Sequence, residues 1–101
     1  MIIILFFDLP MITSGDIKRY NKFRKFLVKE GFIMMQKSVY TKLVINASSV
    51  KLVKNKIEKN KPQDGIVQIL TVTEKQFASI ECIVGERKTN VIDSTERVLI
   101  I

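Results

Sequence analysis

Met1-Ile2-Ile3-Ile4-Leu5-Phe6-Phe7-Asp8-Leu9-Pro10 opens the chain, and its reading decides the fold. An unbroken apolar run that meets an acid and then a proline reads as a buried strand with a hard stop. Its continuous apolar character, without alternation, predicts a central strand covered on both faces. The two-residue period of a strand puts Ile2, Ile4, Phe6 and Asp8 on one face and Ile3, Leu5 and Phe7 on the other.

Moving outward, Thr13-Ser14-Gly15-Asp16 has the chemistry of a helix start, with Thr13 as cap and Asp16 near the positive helix end. The helix is expected to run to about Glu30. Ile17, Tyr20, Phe23 and Leu27 form its core stripe, Phe26 widens it, and Gly31 stops it. Residues 32–45 are rich in β-branched and aromatic side chains but too long for one strand, which predicts two segments joined by a tight turn or bulge near Gln36–Ser38. A second helix is expected over about Ser49–Asn60, with Val50, Val53 and Ile57 facing inward. Pro62-Gln63-Asp64-Gly65 signals a turn. Ile66–Thr73 reads as a strong strand, and Thr73-Glu74-Lys75-Gln76 as a capping box opening a short helical turn over 74–79. Ile80–Val84 is expected to form a short strand, Gly85–Glu96 a polar loop, and Arg97–Ile101 a final strand.

The order β-α-β-β-α-β defines an α+β class, the ferredoxin-like split βαβ sandwich. Its 101 residues suit one domain, 1–101. Helices of this fold cover one sheet face only. The other would leave Ile2, Ile4 and Phe6 open, so a homodimer with sheet faces packed together is expected. The terminal strand, 97–101, is expected to pack on the partner subunit.

Net charge is +7 and unevenly spread: residues 1–61 carry a net of +9, residues 62–101 a net of −2. One basic surface from the first two thirds of the chain would attract a polyanion in a salt-dependent way. Solubility charge and an anionic membrane surface are the competing readings. Absence of histidine and a lone cysteine, Cys82, exclude a His-based zinc site, a catalytic His dyad, a disulfide framework and a cysteine metal cluster. No stretch approaches the length of a bilayer span or carries a signal-peptide pattern, so the chain reads as cytoplasmic with no membrane role.

Asp8 ends the central strand on the face expected to meet a partner. A carboxylate there is solvated, bonded to nearby N–H groups, or bound to a cation. Two copies across a dimer axis would supply two carboxylates able to share one Mg²⁺, which would activate water and neutralise a phosphoryl oxygen. No histidine or second adjacent acid is available as a conventional base. The segment 34–42 offers Lys37, Ser38, Tyr40 and Lys42 as phosphate contacts or as a polar strand edge. On the helices, Lys18, Arg19, Lys22 and Lys25, and then Lys51, Lys54 and Lys59, are the expected contacts to a nucleic-acid backbone. A base-stacking platform is not expected, because strand 66–73 has no aromatic residue.

Taken together, Phe7-Asp8-Leu9-Pro10, Tyr20-Asn21-Lys22-Phe23-Arg24-Lys25-Phe26-Leu27, Glu30-Gly31-Phe32, Gln36-Lys37-Ser38-Val39-Tyr40, Leu70-Thr71-Val72-Thr73-Glu74-Lys75-Gln76-Phe77 and Gly85-Glu86-Arg87 resemble the CRISPR-associated protein 2 family, in the form found beside type II systems. The resemblance covers nearly the whole chain. It implies a ferredoxin-like homodimer with Asp8 of each chain near the axis. That dimer would bridge dimers of the CRISPR-associated protein 1 integrase, and together they would hold a protospacer DNA duplex for insertion into a repeat array. Members of that family also include Mg²⁺-dependent endoribonucleases and deoxyribonucleases, as well as inactive chains, so the resemblance leaves a nuclease role for Asp8 open on RNA or DNA.

Overall fold

A computed structural model describes residues 1–85. Along the chain run β1 (Ile2–Asp8), α1 (Ser14–Lys29), β2 (Ile33–Gln36), β3 (Val39–Leu43), α2 (Ala47–Lys59), β4 (Ile66–Val72) and α3 (Glu74–Ala78). One four-stranded sheet has the order β2-β3-β1-β4, and every neighbouring pair is antiparallel. This is the ferredoxin-like arrangement, with the opening apolar run as a central strand paired on both sides. Asp8 is the last residue of that strand, as expected, and lies opposite Ile66.

Local chemistry sets the element ends. Thr13 caps α1 in a reciprocal box: its hydroxyl accepts from the Asp16 N–H at 3.0 Å, and the Asp16 carboxylate accepts from the Thr13 N–H at 3.1 Å. The helix closes through Gly31, whose backbone is left-handed at φ +95°. Tyr20, Phe23 and Leu27 are buried as expected, but Ile17 is exposed; the core stripe begins one turn later, at Tyr20. β2 and β3 are joined at Lys37–Ser38, with a register shift between Met34 and Gln36. α2 starts two residues earlier than read, with Asn46 as its cap: the side chain accepts from the Ser49 N–H at 3.0 Å. Thr73 and Gln76 form the second capping box, as expected.

The sheet has two unequal faces. Ile3, Leu5, Phe7 and Tyr40 meet Tyr20, Phe23 and Leu27 of α1 and Val50 and Ile57 of α2 in the main core. Phe7 is its hub: its ring centroid lies 5.3 Å from Phe23, edge-on, 5.6 Å from Tyr20 and 5.7 Å from Tyr40. On the other face Ile2 and Ile4 are buried with Phe77 of α3, packed by Met35, Val39, Val72 and Ile80. That corrects one expectation. No second copy is needed to cover Ile2 and Ile4, because the chain folds its own short helix over them. Phe6, at 38% exposure, and Leu70, at 52%, stay open on the same face.

Ile80–Val84 forms no strand. The Ile80 N–H donates to the Phe77 carbonyl at 3.2 Å, closing the last turn of α3, and Ile83 and Val84 are exposed. Strand propensity there finds no neighbour among the described residues, and pairing rather than composition makes a strand. The expected polar loop beyond Gly85 and the terminal strand 97–101 lie outside the described residues. Among the described residues no helix is long and apolar enough to cross a membrane.

Candidate functional site

Asp8 is exposed at the end of β1, on the sheet face that α1 and α2 leave open. Two turns flank that strand end. On the β3 side, the Phe7 N–H donates to the Ser38 carbonyl at 3.0 Å, which brings the Lys37–Ser38 turn to the same end of the sheet as the carboxylate. Ser38 sits in the left-handed region at φ +65°, a conformation uncommon outside glycine. On the β4 side, the Asp64–Gly65 turn lies against the backbone of Asp8 and Leu9. Among the described residues no three His, Cys, Asp or Glu side chains converge as a metal cluster.

The cations divide into two groups. Lys18, Lys22 and Lys25 are exposed along α1, and Lys51, Lys54 and Lys59 along α2; Lys37 is exposed in the hairpin turn. Among the described residues none of these seven has a carboxylate within ion-pair distance. The 4- and 3-residue spacings of Lys18, Lys22 and Lys25 keep them on one side of the helix.

Other residues expected at a phosphate are committed elsewhere. Arg19 bonds Asp16 at 2.6 Å. Asp16 is held below its ordinary value by the Thr13 backbone N–H and then by the Arg19 guanidinium. Lys42 donates to the Glu30 carbonyl at 2.7 Å, neutralising the negative end of α1, while the Glu30 carboxylate pairs with Lys56 of α2 at 3.2 Å. Tyr40 is a correction: at 1% exposure, with its ring against Phe7, it is a core residue and presents no surface to a phosphate. The strand period explains it. Tyr40 lies opposite Leu5, on the helix-covered face, whereas Ser38 sits in the turn and is half-buried.

Sequence reasoning missed the Glu30–Lys42–Lys56 link, since residues 12 and 26 positions away from Glu30 meet only through the fold. It also read Gly65 as turn punctuation without its approach to Asp8.

Among the described residues, fold and site together define a small ferredoxin-like protein with a helix layer on one side whose exposed lysines are mostly unpaired, and on the other a half-covered apolar sheet with a terminal carboxylate. The profile of the family described as CRISPR associated protein Cas2 matches residues 1–80. The chain is 52% identical to the CRISPR-associated endoribonuclease Cas2 of Treponema denticola over 101 residues, all of both chains. It is 46% identical to the protein of that name from Streptococcus mutans over 99 residues, covering 98% of this chain and 91% of the relative. A third relative of the same name, from Ligilactobacillus salivarius, is 42% identical over the full length of both. The chain belongs to the Cas2 family, as its motifs imply, and its role lies in CRISPR defence.

Proposed function

We propose that this chain is the dimeric, nucleic-acid-backbone-binding subunit of the CRISPR spacer-acquisition complex, working in the cytoplasm. In this reading it bridges dimers of the CRISPR-associated protein 1 integrase and grips a protospacer duplex. The observation that carries the reading is the set of exposed lysines on α1 and α2 without acidic partners among the described residues. Cations left free in this way bind phosphates and release counterions, giving affinity without sequence preference. The opposite side supports self-association: Phe6 and Ile66 are exposed beside Asp8, Leu70 is exposed farther along the same face, and among the described residues β4 is an edge strand.

The test is duplex binding as a function of salt. The plot of log affinity against log salt should have a slope of about −0.9 per neutralised phosphate. Reversing Lys18, Lys22 and Lys25 to glutamate should weaken binding to unrelated duplexes alike and flatten that slope by about three. Unchanged affinity and slope would move the nucleic-acid face off α1.

A second reading is favoured by the name its relatives carry, endoribonuclease, together with the exposed Asp8. Mg²⁺ is commonly held by one or two carboxylates with water completing its shell, so one Asp8 from each of two copies fits that ion as a donor set. When bound, Mg²⁺ would lower the pKa of a coordinated water and neutralise charge on a phosphodiester. Asp8 itself would hold and orient the ion at the dimer axis. Cleavage of single-stranded RNA or duplex DNA that stops with chelator and with Asp8→Ala supports this reading; cleavage that survives Asp8→Ala removes it.

A further inference from the structure

Gly65, in the α2–β4 turn, lies against the backbone of Asp8, and two independent features require a glycine there. Its backbone is left-handed, at φ +96°, where a side chain is strained. A Cβ at this position would stand 2.6 Å from the Asp8 carbonyl oxygen, 2.7 Å from Leu9 Cδ2 and 3.1 Å from Leu9 Cα. The nearest of these is main chain, at a strand end paired with Ile66 of β4, so it has no flexible tip to swing away. A side chain at 65 would have to displace the end of β1 or the turn itself.

Gly31 provides the contrast. Its φ of +95° is nearly the same, but a Cβ there would meet Lys42 Nζ, at 2.7 Å, the tip of a long side chain that can swing while keeping its hydrogen bond to the Glu30 carbonyl. Gly31 also lies at the other end of the sheet, before β2. Equal backbone demand at the two glycines thus comes with different neighbours: a movable ammonium at one, the backbone of Asp8 at the other.

We propose that Gly65 is a positioning residue for Asp8, setting where its carboxylate stands for a divalent cation. This rests on the Mg²⁺ reading of Asp8 given above. The opposite flank, where the Ser38 carbonyl takes the Phe7 N–H, fixes the strand end from the β3 side, so Gly65 is the second of two jaws.

The experiment uses Mn²⁺ as a paramagnetic probe in solution NMR of the full chain. In the wild type, Mn²⁺ should broaden the amides around Asp8 first. Asparagine tolerates a left-handed backbone but carries a Cβ, so Gly65→Asn isolates the clash from the strain. It should raise the Mn²⁺ midpoint by about tenfold, the lower end of what losing a supporting contact costs a metal site. Gly31→Asn, with the same backbone demand, should leave the midpoint within error. Inserting one glycine after Gly65 loosens the turn without adding a Cβ, and should weaken Mn²⁺ binding in a chain that keeps its fold. A wild-type midpoint in Gly65→Asn or in the insertion variant overturns the proposal, as does an equal loss in Gly31→Asn. Asp8→Asn separates the two layers. If Mn²⁺ broadening persists in it, the metal reading fails. The positioning claim is then decided by the metal-free Asp8 Cα and Cβ shifts, which must move in Gly65→Asn and stay put in Gly31→Asn.

Discussion

The two faces of the sheet are built from alternate residues of the same strand, yet they are organised in opposite ways. Ile3, Leu5 and Phe7 point into a core closed by two long helices and a cluster of aromatic rings. Ile2 and Ile4 are closed by one five-residue helix that contributes Phe77, and the next residue along that face, Phe6, is left partly open. The difference separates the face that carries the main core from the face proposed above for self-association. The helix-covered face contains enough burial to specify the chain, while the open face is finished only where the fold requires it, and its remaining apolar surface runs beside Asp8.

The largest expected effect breaks the covered face. Phe7→Ala removes a buried ring in contact with three others and should destabilise the chain by about 4–5 kcal/mol, the upper range for such truncations. That is comparable with the lower end of total domain stability, so the variant should melt tens of degrees lower or fail to fold. Denaturant unfolding measures it. Phe77→Ala should cost about 3 kcal/mol, the lower end for such truncations, because the ring belongs to the smaller of the two core clusters and sits in a five-residue helix. An equal loss for the two phenylalanines would show that the faces are energetically equivalent and would remove the distinction drawn here. Phe77→Ala should also leave the far-ultraviolet spectrum of α1 and α2 nearly intact while exposing Ile2 and Ile4 to a hydrophobic dye.

Much of this was legible in the sequence because it is written in local rules. The period-two split of β1, the Thr13 and Thr73 boxes and the Gly31 stop each depend on residues within a few positions of one another. What escaped depends on tertiary geometry. Tyr40 reads as a polar strand residue until its register opposite Leu5 turns it inward. Lys42 reads as a free cation until β3 brings it beneath the C-terminus of α1. The cover over Ile2 and Ile4 was hidden because a short capped helix was legible, but the face it would fold onto was not. The apolar segment 80–84 carries strand propensity, yet its first amide is spent on closing α3.

The smallest effect sharpens the comparison at the helix starts. Each face has one covering helix that begins with a threonine capping box, but the reciprocal acceptor is Asp16 in α1 and the uncharged Gln76 in α3. Asp16 is lowered by the Thr13 backbone N–H and then by Arg19. Glu74, in the first turn of α3, is lowered by its own backbone N–H and then by the N-terminal ammonium. A carboxylate whose folded value lies below its unfolded one contributes stability that is present above the unfolded value and is lost as pH falls through the folded one. For Asp16 that loss therefore begins below about pH 4, its ordinary range. At that point the α1 box loses its charge while the Thr73–Gln76 box keeps its hydrogen bonds. Amide exchange should report this directly. Below pH 4, after correction for intrinsic rates, protection should fall at Asp16 and Ile17, whose N–H groups donate to Thr13, before it falls at Gln76 and Phe77, whose N–H groups donate to Thr73. Asp16→Asn should flatten the acid limb at α1 and leave α3 untouched, since an amide still accepts the Thr13 N–H without titrating. Full salt screening should shrink the effect, because Asp16 and Arg19 meet at the surface. Simultaneous loss of protection at both helix starts would mean that the acid transition is global, and that the covered and open faces unfold as one unit.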